Sequence, residues 1–88
     1  MTKKNFLKIF VAAMKIEDIT HIAVKVMQPT GGYEVIIFGK DMFTTKYEYY
    51  KGAYDDEMRL KSFNKIYITE IDFSNDIGCL AKQMFGVY

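Results

Sequence analysis

Met42-Phe43-Thr44-Thr45-Lys46-Tyr47-Glu48-Tyr49-Tyr50-Lys51-Gly52-Ala53-Tyr54-Asp55-Asp56-Glu57 holds four of the chain's seven tyrosines within eight residues and interleaves them with charge. Phe43, Thr45, Tyr47 and Tyr49 alternate with Thr44, Lys46 and Glu48, which is the period of a half-buried strand, and aromatic and β-branched residues favour strands. The alternation predicts a strand over Met42 to Tyr50, broken at Gly52. It points Tyr47 and Tyr49, in the company of Phe43 and Thr45, toward the core. Tyr50, Lys51, Tyr54, Asp55, Asp56 and Glu57 are then left as an exposed recognition edge. A tyrosine ring gives a large rigid contact at small rotamer cost, so Tyr50 and Tyr54 read as anchors and the mixed charges as a rim that orients a partner.

Working outward, Asp55 to Lys61 fits either an acid-started helical turn or the rise into a strand. Ile66 to Phe73 is a strand, with Tyr67, Thr69, Ile71 and Phe73 on one side and Ile68, Glu70 and Asp72 on the other. Ser74 can cap a helix whose Ile77, Leu80, Ala81, Met84 and Phe85 recur at helical spacing before Gly86 stops it. On the other side, Gly39-Lys40-Asp41 is a turn. Thr20 to Met27 and Tyr33 to Phe38 form a hairpin through Gln28-Pro29-Thr30-Gly31-Gly32. Phe6, Phe10 and Ala13/Met14 predict a short N-terminal helix capped by Asn5, with a buried strand over Phe6 to Ala12 as the competing assignment. The sum is a single α+β domain over residues 1–88. Its four-stranded, mostly antiparallel sheet is packed by the C-terminal amphipathic helix and the short N-terminal one.

Composition bounds what such a domain can do. An 88-residue chain buries only about 60 to 65 % of its unfolded surface, but half the residues are hydrophobic, which argues for a real core. The formal net charge of +1 supplies no basic field for polyanions. The lone Cys79 forms no internal disulfide, which suits a reducing compartment. Phe6 to Met14 is apolar behind Lys3 and Lys4, yet no small-x-small cleavage site follows, and no apolar run approaches the roughly 20 residues of a membrane span. A cytoplasmic protein without a membrane association is expected.

Chemical apparatus is sparse. A Cys79/His21 dyad would need Cys79 exposed, whereas its place on the helix reads as small core filling, and His21 has no second His or Cys with which to hold zinc. Asp55, Asp56 and Glu57 with Asp72 or Asp76 offer oxygen ligands for a hard cation, but consecutive acids point apart on regular elements and read as a solvated turn. No catalytic residue, metal or cofactor is assigned. Lys46, Lys51, Arg59, Lys61 and Lys65 interleave with aromatic residues as a single-stranded nucleic-acid platform would, against the acids set among them.

A non-enzymatic protein-binding module is therefore the expected function. Eleven lysines against one arginine, with abundant Asn, Ile, Tyr and Phe, are what an AT-rich coding sequence yields. In general character, small size, that composition and the lack of catalytic apparatus, the chain resembles the inhibitors that phages and mobile elements encode against host defence, anti-CRISPR proteins among them. The resemblance implies a host protein as partner and an inhibitory or regulatory role. Pairing with a second copy, a nucleic-acid-binding module and a small enzyme or enzyme subunit stand as alternatives.

Overall fold

Thr2 begins the first helix. In the computed structural model, which describes residues 1–85, its hydroxyl accepts the Asn5 N–H at 3.2 Å and starts α1, Lys3–Lys15. Thr2 and not Asn5 is thus the cap, one turn earlier than expected. Phe6, Phe10 and Ala13 are completely buried along one side of this helix, so the competing strand over Phe6 to Ala12 falls away. The expected hairpin follows as β1, His21–Met27, and β2, Tyr33–Gly39, paired antiparallel. Gly31 lies at φ +90° in the connecting turn, a conformation that glycine adopts without the Cβ penalty.

The tyrosine-rich stretch departs from expectation. After a single 3-10 turn at Lys40–Met42 it forms helix α2, Phe43–Ala53, and not a strand over Met42 to Tyr50. The physical reason is a second period hidden in the same residues. Phe43, Tyr47, Tyr50 and Tyr54 fall at i, i+4, i+7 and i+11, and helical winding turns this set inward together. The Phe10 ring then lies with its centroid 6.3 Å from Phe43, 5.6 Å from Tyr47, 6.4 Å from Tyr50 and 5.9 Å from Phe38. Burying such a ring cluster on one side outweighs the weak strand propensity of its members. Gly52 sits exposed in the last turn of α2 and does not break the element.

The sheet is completed by β3, Arg59–Leu60, and β4, Phe63–Ser74, in the order β2-β1-β4-β3 with every neighbour antiparallel. The four-stranded α+β architecture stands, but its last member is this two-residue rung. In β4 the register to β1 shifts, because Lys25 faces Glu70 while Val26 faces Ile68, which leaves Thr69 as an extra residue. The bulge overturns the expected grouping: Ile68, Ile71 and Phe73 join the core under α1 and α2, while Tyr67 turns to the other side.

The last helix, α3, Ile77–Phe85, lies across that other side. Asp76 caps it, accepting N–H groups from Gly78 at 2.9 Å and Cys79 at 3.2 Å, and Ser74 Oγ accepts the N–H of Asp76 at 3.0 Å. The cap expected at Ser74 has moved one step along this relay, and the helix stop expected at Gly86 lies outside the described residues. Leu80 and Met84 are buried on Ala23, beside Val35 and Ile37. Ile77 and Phe85, expected in the same face, are about half exposed because the helix meets the sheet through little more than one turn. Cys79, expected to be buried, is exposed. No described helix is long and apolar enough to cross a membrane.

Candidate interaction surface

The helix α2 redistributes the expected recognition edge. Tyr50 is 1 % exposed and Tyr54 4 %, both inside the ring cluster, and it is Tyr49 that turns outward, packing its ring edge against both. Burial first, then the Tyr49 hydroxyl beside it, pushes the Tyr54 phenol up to about 12, and burial drives Tyr50 higher still. Asp55 is committed to a turn: its carboxylate accepts N–H groups from Arg59 at 3.0 Å and Glu57 at 2.9 Å, and the Arg59 bond is the main reason it stays below the usual carboxylate range. Met58, at φ +59°, follows this turn into the core. The Asp56 carbonyl accepts the Lys3 N–H at 2.8 Å, and Lys3 Nζ donates to the Lys51 carbonyl at 2.8 Å. Lys51, Asp56 and Glu57 reach the surface. The six residues thus form a clasp that fastens α2 to the start of α1, with two of them in the core.

A different set of side chains forms a continuous stripe. The register places Tyr33 beside Met27, Met27 beside Tyr67 and Tyr67 beside Arg59, so one row crosses all four strands on the α3 side. The cluster under α3 is centred on Ala23, Val35 and Ile37, and the row lies beyond it, toward the Met27 end of the sheet. Each aromatic ring carries a cation. Lys25 Nζ is 4.4 Å from the centroid of Tyr33 and 3.6 Å from Glu70, while the Arg59 guanidinium is 5.2 Å from the centroid of Tyr67 and its Nε 3.6 Å from Glu57. Tyr33 also leans on Phe85, with ring centroids 6.3 Å apart and its hydroxyl donating to the Phe85 carbonyl at 3.4 Å. Phe63, 46 % exposed, opens β4 opposite Leu60.

The Arg59 end of the row opens into a pocket of about 420 Å³ lined in part by Thr2, Arg59, Tyr67 and Thr69. Thr69 Oγ1 is buried there with no hydrogen-bond partner among the described residues. A buried hydroxyl without a partner is costly unless something supplies one. The bulge that creates the extra residue thus creates an unmet polar group beside the stripe.

Residues considered for chemistry are dispersed. His21 Nδ1 lies 2.9 Å from Thr20 Oγ1, Cys79 Sγ faces Asp76 at 3.6 Å, and no hydrogen bond joins the two among the described residues. Nor do three or more His, Cys, Asp or Glu side chains converge there as a metal site would require. Compared with known protein families, characterised proteins and solved structures, the chain matches none.

No pattern in the sequence marks the row. Tyr33 opens β2, Met27 closes β1 and Arg59 opens β3, so three members are strand ends, while Tyr67 lies inside β4. Only the register brings them into line.

Proposed function

We propose that this chain is a non-enzymatic protein-binding module, and that it seats its partner on the Tyr33–Met27–Tyr67–Arg59 row. The alignment of those four side chains across one side of the sheet carries the reading. Tyr, Met and Arg are the residue types enriched at interfaces, and here they stand together in place of the charge typical of an open surface. The rim is mixed, with Lys25 and Glu70 on one flank and Glu57 beyond Arg59. The Thr69 pocket gives a partner side chain a place to anchor and a hydroxyl to satisfy. Such a module acts by occupying its partner, as an inhibitor or regulator of a host protein does.

Single-stranded nucleic acid is the second reading, favoured by two tyrosine rings on a sheet with Lys25 and Arg59 beside them. It is the weaker one because both rings already hold a cation and both cations already face a carboxylate. Affinity capture from host extract with the wild-type chain and with Tyr67→Ala decides between them. A protein retained by the wild type, lost from Tyr67→Ala and insensitive to nuclease and moderate salt supports the module. Retention of nucleic acid that weakens by orders of magnitude with salt supports its rival. A partner held equally by both chains removes the row from the interface.

A further inference from the structure

The two outer edges of the sheet are built differently. Beyond β3, β4 is irregular: Thr69 is bulged, Glu70 and Asp72 stand on one side, and the Phe73 N–H is taken by the Asp72 carboxylate at 2.8 Å. Bulges and charges are the devices that keep an edge from pairing. The outer edge of β2, Tyr-Glu-Val-Ile-Ile-Phe-Gly from Tyr33 to Gly39, has a regular register throughout and one charged side chain, Glu34.

We infer that a second copy of this chain adds to the β2 edge, antiparallel about a two-fold axis at Ile36, so that one sheet runs through both molecules. The backbone sets the register. The Gln28 N–H bonds the Gly32 carbonyl at 2.9 Å, and alternation from that pair leaves the N–H and C=O groups of Tyr33, Val35, Ile37 and Gly39 pointing away from β1. About Ile36, Tyr33 meets Gly39 of the second copy and Val35 meets Ile37, so every one of those outward groups is paired. A register displaced by two residues strands some of them.

Side chains agree with that register. Ile36 meets Ile36, and Val35 with Ile37 extends the apolar cluster under α3. Glu34 comes opposite Phe38 of the second copy, whose ring has its own Lys46 Nζ 5.8 Å from the centroid, so the carboxylate meets an ammonium. The same operation on β4 about Ile71 sets Glu70 against Asp72, a like-charge pair that opposes assembly. The β2 seam is therefore the self-complementary one, and it shares with the partner-binding row only Tyr33, whose backbone groups serve the seam.

Sedimentation of the full chain over a range of concentrations tests the seam, with the expected outcome a reversible dimer. Val35→Pro removes an outward N–H without touching the bonds to β1, and should raise the dimer dissociation constant at least about tenfold. Glu34→Lys and Lys46→Glu should each weaken the dimer, and the double variant should restore it; this arm stands even if the proline variant fails to fold. A chain that stays monomeric up to about 0.5 mM overturns the inference. So does a dimer unmoved by Val35→Pro in a folded variant, or charge variants that show no rescue in combination.

Discussion

The two sides of the sheet solve the same packing problem with different materials. Under α1 and α2, Phe6, Phe10, Phe38, Phe43, Tyr50 and Tyr54 interlock ring against ring over Ile22, Val24 and Ile68. Under α3 the buried cluster is Ala23, Leu80 and Met84 with two half-covered neighbours, and part of that side keeps its tyrosines at the surface. Of the dense run, Tyr50 and Tyr54 went into the sealed side with Tyr47 packed against them, where they hold the fold, and Tyr49 stays at the surface. The scattered ones, Tyr33 and Tyr67, stayed on the open side, only partly covered. Clustering in sequence thus marked structural rings in this chain, and register across strands marked the surface.

The largest expected effect lies at the centre of the sealed side. Phe10 touches five other core rings or their neighbours and is completely buried, so Phe10→Ala should cost about 3 to 5 kcal/mol, a large part of the stability of so small a domain. Urea denaturation measures it. A loss below that of a surface substitution would mean that the ring cluster is not the main core.

Leu80→Ala tests the other side. Its cluster is small and half open, so the cost should fall at the lower end of the usual range, about 2 kcal/mol. A loss equal to that of Phe10→Ala would erase the asymmetry between the sides.

That asymmetry was only partly legible in the sequence. The hairpin could be read because Ile22, Val24 and Val26 alternate cleanly and Gln28 to Gly32 is turn chemistry. The last helix could be read because Leu80 and Met84 are one turn apart. Helix α2 could not be separated from a strand, because Phe43, Thr45, Tyr47 and Tyr49 satisfy a period of two while Phe43, Tyr47, Tyr50 and Tyr54 satisfy the helical one. Tertiary burial against Phe10 decided between them. The Thr69 bulge was equally silent: one extra residue reverses the side on which Tyr67 lies, and nothing in Ile66 to Phe73 announces it. The candidate surface was illegible for that reason, since it exists only once three strand ends and Tyr67 are in register.

Alkaline pH should act on the sealed side through Tyr50 and Tyr54. Tyr50 and Tyr54 are held neutral by burial, with their phenols raised above the ordinary value near 10, whereas the unfolded chain ionises there. Their contribution is complete below that pH, and proton loss from the unfolded state erodes it as pH climbs toward about 12. Denaturant midpoints should therefore fall steeply above pH about 10, and less steeply in Tyr50→Phe, which has no phenol to ionise. Identical slopes in the two proteins would remove Tyr50 from the titration.

The smallest stability effect is expected on the row itself. Tyr67 is half-buried, and a specific contact it loses to alanine is the Arg59 guanidinium over its ring, an interaction worth about 0.5 to 1 kcal/mol where solvent reaches it. Tyr67→Ala should accordingly lower the unfolding free energy by about 1 kcal/mol and the melting temperature by a few degrees, while Tyr50→Ala, buried among rings, should cost several times more. The ratio matters more than either value, because a residue kept for binding is one whose removal is felt little by the fold. If Tyr67→Ala proves as damaging as Tyr50→Ala, the ring is a structural member, and the row loses its standing as a surface reserved for a partner.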